Sequence, residues 1–128
     1  MNTQYKKGAE WRKWDFHFHT PSSYDYKNNS VSSKDIIETL SDNNISVVAI
    51  TDHHIIDVKR IEELQKLSGK KGITVLPGIE FLSDARGNEP VHFIGVFPEN
   101  CNLSHVWGQI KNRTAISKIE GESKKVKR

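Results

Sequence analysis

Two short apolar runs with a helical pattern between them constrain this fold more than any other feature of the chain. Ile45–Ile50 and residues 73–76 are apolar and rich in β-branched side chains, which is typical of strands buried on both faces of a parallel sheet. Over Val58–Ser68 the apolar residues recur every three positions among charged ones, which predicts an amphipathic helix that ends at Ser68-Gly69. A strand, a helix and a second strand in this order predict a parallel α/β sheet or barrel.

A period-two pattern upstream predicts one more strand. Asp15, His17 and His19 alternate with phenylalanines, so a strand would place the three polar side chains on one face and the phenylalanine rings on the other. We expect Trp11 and Trp14 to seal the lower end of this strand. Neutral imidazole is a strong ligand for divalent metal ions, and a neighbouring carboxylate can orient it or share the ion. By itself the pattern fits either a metal site or a solvated polar face.

Two further segments complete the predicted order of elements. Ser32 and Asp35 have the spacing of a capping box, and the apolar stripe that follows predicts a helix over about residues 33–43. The third strand is expected to break at Pro-Gly, and only about eight residues separate its continuation from the next apolar run, too few for a parallel crossover. We therefore expect an antiparallel hairpin over residues 79–96 that turns near Gly87.

Residue types that bind metals recur where the predicted strands end. They are Asp52, His53 and His54 after the second strand, Glu80 after Pro77-Gly78, His92 on the hairpin, and Asp25 in the polar loop that follows His19. Ligands of open α/β sheets and barrels bind at the carboxyl ends of the strands, so these side chains are expected to meet.

The set of ligands indicates the kind of chemistry. More than four nitrogen and oxygen ligands exceed what one tetrahedral zinc ion uses, which favours two or more ions of zinc, manganese or iron with Glu80 as a bridge. Two-metal sites hydrolyse phosphate esters, and they need no side-chain nucleophile. Cys101, the single cysteine, stands in a turn without a motif and is expected to take no part.

Each candidate metal ligand also has an alternative explanation in which it binds no metal. His53 and His54 could enter the next helix with Asp52 as its N-cap. Glu80 could be a surface carboxylate, and His92 a histidine satisfied within the core. All of these explanations would have to hold together to remove the site, so the metal site is the stronger hypothesis.

Four segments of the chain resemble the first motifs of the PHP (polymerase and histidinol phosphatase) domain. They are Asp15-Phe16-His17-Phe18-His19-Thr20, Ile50-Thr51-Asp52-His53, Pro77-Gly78-Ile79-Glu80 and Val91-His92-Phe93-Ile94-Gly95. The resemblance implies a distorted (β/α)7 barrel whose trinuclear metal cluster acts on phosphoesters. Because the later motifs of the domain are absent, we expect a partial TIM-like barrel of PHP type, about half of the barrel.

The resemblance also implies a role for each matched residue. His17 and His19 would bind one ion, Glu80 would bridge ions, and His53 and His92 would complete the cluster. Asp25 would be a further ligand, although it lies one residue beyond the usual acidic position, which Tyr24 occupies here. Asp15, Asp52 and His54 would lie behind the ligands, where the two carboxylates orient imidazole rings.

The function that follows is a metal-dependent phosphoric ester hydrolase with two or three divalent ions in its complete site. The alternative is a non-catalytic metal-binding or structural fragment, since the chain alone could be inactive without the later motifs. A metal-dependent amidohydrolase shares the His-x-His strand but fits the other motifs less well. One expected partner is the missing carboxyl-terminal half. The other is an ATPase domain, because residues 10–24 resemble the start of TrlF-type proteins, in which a PHP domain precedes an ATPase.

Composition sets the remaining expectations. The 128 residues carry a net charge of +3 and are 35% hydrophobic, which fits a polar lead-in (residues 1–10), one domain (11–119, ending in a helix from residue 103) and a basic tail (120–128). The basic ends are either solvated or bind phosphates, so the phosphoester substrate could be a nucleotide or nucleic acid. A single cysteine and no apolar run of membrane-spanning length favour the cytoplasm and no membrane partner.

Overall fold

A curled four-stranded sheet with helices packed against it makes up residues 10–83 and 91–113, the part of the chain that this computed structural model describes. The elements are β1 (Lys13–Phe18), α1 (Ser33–Asp42), β2 (Ile45–Ile50), α2 (Val58–Ser68), a turn of 3₁₀ helix (Gly69–Lys71), β3 (Thr74–Ser83), β4 (Val91–Val96) and α3 (Leu103–Arg113). The strands lie in the order β1-β2-β3-β4; β1, β2 and β3 are parallel, and β4 runs antiparallel to β3. The predicted partial barrel and its hairpin are confirmed.

The core lies between one face of the sheet and the helices. β2 contributes Val48 and Ile50 to it, and β3 contributes Val75 and Ile79. The helices contribute the apolar stripes seen in the sequence, which are Ile36, Ile37 and Leu40 from α1, Ile61 and Leu64 from α2, and Leu103 from α3. Burying these side chains is the main favourable term that holds the layers together.

Side-chain caps start α1 and α2. The Ser32 hydroxyl accepts a hydrogen bond from the backbone N–H of Asp35 (3.1 Å), and the Asp35 carboxylate accepts one from the N–H of Ser32 (3.0 Å), which is the predicted capping box. Asp57 caps α2 by accepting from the N–H of Arg60 (3.1 Å). Asp52 is therefore not an N-cap, and that structural explanation for the residues around it is wrong.

The predicted break in the third strand does not occur, because β3 changes its partner there. Up to Pro77 it pairs with β2, and from Gly78 it pairs with β4. Pro77 has no N–H to donate, but its carbonyl accepts a hydrogen bond from the N–H of Phe97 (2.8 Å), just beyond β4. The strand passes without interruption from a parallel to an antiparallel neighbour.

Gly78 stands where three strands come closest together. A Cβ at this position would lie 2.7 Å from the carbonyl oxygen of Gly95 and 2.9 Å from that of Ile50. Both contacts are with backbone atoms, which cannot rotate out of the way. A glycine is thus required here by close approach of the backbones.

β1 contains a bulge that the period-two pattern did not predict. Asp15 pairs with Val48 and Phe18 pairs with Ile50, so β1 has one more residue than β2 over this interval. Since Val48 and Ile50 both face the core, Asp15 and Phe18 point to that same side, where both line a cavity of about 260 Å³ next to α1. The expected grouping of Asp15 with His17 on one face is therefore wrong.

Both edge strands of the described sheet expose apolar side chains. Trp11 is 97% exposed and Trp14 is 61% exposed, so they do not seal the strand; Trp14 instead stacks on Phe16, with ring centroids 5.4 Å apart. On the opposite edge, β4 exposes Val91, Phe93, Ile94 and Val96. Exposed apolar edges of this kind are what an open half-barrel presents.

Several predictions fall outside the described residues. They are the lead-in before residue 10, the turn near Gly87, the predicted continuation of the last helix after Arg113, and the basic tail. Among the described residues, no helix combines the length and the apolar character that crossing a membrane requires.

Replacing Gly78 with alanine should destabilise the fold. The new methyl group would overlap two backbone carbonyls, and overpacking of this kind costs about 1–3 kcal/mol. Gly108 is the matched control: it lies within α3, and a Cβ added there would meet nothing within 4 Å, so Gly108→Ala should stabilise by about 0.5–1 kcal/mol. Urea denaturation of both variants measures the two free energies of unfolding, and equal effects would contradict the close approach at Gly78.

Candidate metal centre

A buried carboxylate, that of Glu80 on β3, forms the centre of the site. Glu80 is 1% exposed. Its Oε2 accepts hydrogen bonds from Nε2 of His17 and Nε2 of His19, both 2.7 Å away, and its Oε1 accepts one from Nδ1 of His92 at 2.7 Å. Nδ1 of His53 lies 3.6 Å from Oε2. Imidazoles that are far apart in the sequence therefore surround one carboxylate.

Asp25 brings a second carboxylate to the same place. Its Oδ2 lies 3.2 Å from Nε2 of His53, and its Oδ1 lies 3.9 Å from Nδ1 of His19. The described residues thus contain two groups suited to holding an ion. One is His17 with His19 and Glu80, and the other is His19 with Asp25 and His53. Within each group the ligand atoms lie within 4.8 Å of one another. His19 belongs to both groups.

Backbone pairing beyond the end of β2 places His53 beside Glu80. The N–H of Glu80 donates to the carbonyl of Asp52 (3.0 Å), and the N–H of His54 donates to the carbonyl of Glu80 (2.9 Å). His54 then takes a left-handed backbone conformation, with φ at 59°, which turns the chain away from the sheet. The parallel pairing with β3 therefore continues for one isolated bridge beyond the end of β2, and this bridge places His53 next to Glu80.

Asp52 holds Thr20 rather than an imidazole. Its Oδ1 accepts a hydrogen bond from the backbone N–H of Thr20 (2.6 Å), and its Oδ2 accepts one from the Thr20 hydroxyl (2.7 Å). Both residues are buried. This pair ties the end of β1 to the end of β2, and in that way it sets the position of the backbone on which His19 stands.

Asp15 also contacts no imidazole. Its Oδ1 accepts a hydrogen bond from the backbone N–H of His17 (3.0 Å). The predicted role of both carboxylates, orienting rings by direct hydrogen bonds, is therefore replaced by contacts with the backbone next to the ligands.

Two small hydroxyl residues of the loop after β1 were missed by the sequence analysis. The Ser23 hydroxyl donates to Oδ1 of Asp25 (2.7 Å) and accepts from the backbone N–H of His53 (3.1 Å), so it links the two. Thr20 is the partner of Asp52 described above. Thr20 ends the first motif that resembles the PHP domain, but serine and threonine are common in polar loops, and the sequence did not indicate which partners these two would bind.

Electrostatics keep the Glu80 carboxylate ionised. Burial raises the pKa of Glu80, but hydrogen bonds from His92, His17 and His19, together with the electrostatic interaction with His53, outweigh it and lower the pKa to about 2. Burial lowers the pKa of His53, although Glu80 and Asp25 oppose this, so the ring favours its neutral form. An ionised carboxylate and neutral imidazoles are the forms that bind metal ions.

His54 is fully buried next to these ligands. Neither of its ring nitrogens has a hydrogen-bond partner among the described residues, and burial is the main reason that the pKa of the ring is lowered. Its ring lies nearly parallel to that of Tyr24, with centroids 6.3 Å apart. The prediction that His54 lies behind the ligands matches this position, and its role stays a prediction.

Other sequence candidates lie apart from the cluster. His105 is exposed on α3, where its backbone N–H donates to Oδ1 of Asn102 (3.1 Å). Cys101 is half-buried and packs against the hydrophobic core. Neither belongs to the two groups of potential ligands found among the described residues.

The residues present fit a divalent metal ion. The donors are imidazole nitrogens and carboxylate oxygens, the set suited to zinc, manganese or iron. Two atoms bound to one ion at about 2.0–2.2 Å lie roughly 3 Å apart, and the contacts of 2.7 Å between Glu80 and its imidazoles are close to that spacing. The donor atoms are therefore already gathered as coordination requires.

Comparison with solved structures identifies the fold. An amidohydrolase from Chromobacterium violaceum, with bound sulfate and no metal, matches with a TM-score of 0.55 and 22% identity over 78% of this chain and 34% of its own. A two-domain protein from Bacteroides vulgatus that contains a predicted PHP-like metal-dependent phosphoesterase matches with a TM-score of 0.53 and 18% identity over 83% of this chain and 38% of its own.

A third structure, from Bifidobacterium adolescentis and provisionally described as a metal-dependent phosphoesterase, matches with a TM-score of 0.55 and 18% identity over 88% of this chain and 44% of its own. The chain thus spans between a third and a half of the length of these neighbours. Their likeness shows that the fold is a partial TIM-like barrel of PHP type. No protein-family model matches the sequence, and no curated protein matches it.

The buried Asp52 should make stability depend on pH. Burial raises its pKa from 3.8 to about 6, even though the hydrogen bonds from Thr20 act in the opposite direction. The folded state then binds the proton more tightly than the unfolded state, so the free energy of unfolding falls as pH rises from about 4 to 6, by up to about 3 kcal/mol.

The variant Asp52→Asn tests this, because the amide can still pair with Thr20 but does not titrate. In chelator-treated protein, urea denaturation at pH 4 and pH 7 should show wild type losing stability relative to the variant as pH rises. A constant difference between the two proteins would show that the Asp52 carboxyl titrates alike in the folded and unfolded states.

Proposed function

We propose that this chain forms part of a metal-dependent phosphoester hydrolase of the PHP family. The observation that carries the proposal is the buried Glu80 carboxylate with imidazoles of His17, His19 and His92 on its two oxygens. A buried carboxylate needs such partners to remain ionised. A purely structural ion pair, however, would not need several histidines around one carboxylate, two of them half exposed on opposite edge strands.

The residues that would hold ions follow from the geometry. His17, His19 and Glu80 form one group of donors, and His19, Asp25 and His53 form another. Glu80 directs one oxygen to His17 and His19 and the other to His92, which suits a bridging ligand. A divalent ion in such a site lowers the pKa of a water molecule and offsets the charge of a phosphate ester.

The chain's own residues prepare the site for this chemistry. Burial keeps the His53 ring in the neutral form, and Glu80 and Asp25 supply negative charge against the positive charge of ions. His17 and His92 are about half exposed on opposite edge strands, with 52% and 53% of their side chains accessible. The cluster is therefore open to solvent, and a substrate or further ligands can reach it.

The proposed substrate class, phosphoesters, rests on the similar solved structures. Two of the similar structures are described as metal-dependent phosphoesterases or as containing one, and we extend this class to the present chain. The narrower predictions, a nucleotide or nucleic acid substrate and an attached ATPase of TrlF type, rest on the basic ends and on one segment of sequence, and they stay predictions. So do the identity and number of the ions.

A second candidate is a metal-dependent amidohydrolase. The amidohydrolase from Chromobacterium violaceum has the same fold over this region, and the site described here would also suit an amide substrate. A third candidate is a non-catalytic metal-binding module, which would use the same ligands without turnover. Ion stoichiometry and turnover distinguish the three.

The test begins with chelator-treated protein titrated with Zn²⁺ and Mn²⁺ by calorimetry, followed by assays with p-nitrophenyl phosphate and p-nitroacetanilide. Two or more bound ions with release of p-nitrophenol support the phosphoesterase. Turnover of the anilide alone supports the amidohydrolase. One weakly held ion without turnover supports the module, and no bound ion would contradict all three.

Substituting Glu80 with glutamine should abolish the site while preserving its shape. The amide keeps the volume of the side chain but loses the charge that balances an ion, so ion affinity should fall by at least about 100-fold, the upper end of the effect of outer-sphere partners. His105→Ala is the matched control, because this histidine is exposed on α3 and should leave affinity unchanged. Equal ion affinity in wild type and Glu80→Gln would show that Glu80 is not a metal ligand.

A further inference from the structure

The bulge in β1 decides on which face of the sheet the two histidines lie. In a regular strand, His17 and His19 would share the face of Asp15, which is the face that packs towards α1. The extra residue between Asp15 and Phe18 shifts the alternation by one, and such a shift moves every later side chain to the other face. Both imidazoles thereby reach Glu80.

The Asp15 carboxylate makes a local contact within this bulge. Its Oδ1 accepts a hydrogen bond from the backbone N–H of His17, two residues further on, at 3.0 Å. An aspartate that bonds to the N–H two residues ahead mimics a backbone turn and competes with regular strand pairing. The contact therefore lies within the interval in which the register with β2 changes.

The surroundings of Asp15 agree with a local role. The side chain is half-buried beside Thr39 and Asn43 of the cavity next to α1, on the opposite side of the sheet from Glu80. It cannot contribute a ligand atom to the cluster from there. Its influence on the site must pass through the backbone of His17.

We propose that Asp15 is a positioning residue for the site: its carboxylate holds the β1 bulge and so directs the His17 and His19 imidazoles towards Glu80. The ion-binding part of this inference rests on the proposed function, whereas the bulge itself can be tested without metal. The residue acts through geometry and not through its charge.

Three variants separate geometry from charge. Asp15→Ala removes the acceptor, whereas Asp15→Asn keeps an oxygen that can accept from the N–H of His17 but removes the charge. Asp42→Ala is the matched control, since Asp42 is an exposed acid at the end of α1 whose side chain makes no hydrogen bond or ion pair with the described residues. Urea denaturation first establishes that each variant is folded.

The first readout needs no metal. In ¹⁵N-labelled, chelator-treated protein, Asp15→Ala should shift the His17 amide resonance upfield and increase its rate of hydrogen exchange, while Asp15→Asn should keep both near the wild-type values. A His17 amide unchanged in Asp15→Ala would overturn the proposal, whether or not the protein binds ions. If Asp15→Ala does not fold, the proposal stands or falls on whether Asp15→Asn keeps the wild-type His17 amide.

The second readout is the affinity for Co²⁺, whose visible absorption reports the number and type of ligands. Asp15→Ala should bind about 10–100-fold more weakly and with a changed spectrum, as is typical when a residue that orients a ligand is lost. Asp15→Asn should restore both, and Asp42→Ala should resemble wild type. Equal weakening in Asp15→Asn and Asp15→Ala would show that charge, not the bulge, is responsible. Absence of Co²⁺ binding in wild type would contradict the proposed function alone.

Discussion

The structure depends on placing one ionised carboxylate, that of Glu80, inside the protein. Burying a lone carboxylate is costly, and here three imidazole hydrogen bonds offset that cost and keep its pKa at about 2. To supply these hydrogen bonds, β1 must carry its bulge and β4 must return antiparallel to β3. The extra pairing after β2 brings a fourth imidazole, that of His53, beside the same carboxylate. The strands are thus arranged so that their histidines surround the single buried carboxylate of Glu80.

The same arrangement explains why the cluster lies at an open rim. The described sheet has β1 and β4 as its edges, and each edge contributes one half-exposed histidine of the site, His17 or His92. Apolar side chains on both edges, such as Trp14 and Ile94, are also exposed. The accessible side of the cluster and the uncovered apolar surface therefore belong to the same two strands.

Structural elements that are determined by residues close together in the sequence could be predicted well. The capping box at Ser32, the strand at Ile45–Ile50 and the antiparallel hairpin all follow from spacing, composition and loop length, and the structure contains them. The predictions that failed involve contacts across strands. The bulge after Asp15 arises from the register with β2, and the uninterrupted passage of β3 through Pro77 arises because its partner changes there.

By itself, the sequence determined which residue types stand at the strand ends, because periodicity and loop length are local properties of the chain. It therefore predicted that His17, His19, His53, Glu80 and His92 would meet, and the structure brings them together with Asp25. Only the tertiary structure decided how they meet. The partners of Asp15 and Asp52, the link made by Ser23 and the faces that the histidines occupy depend on strand register, which is set by packing between segments distant in sequence.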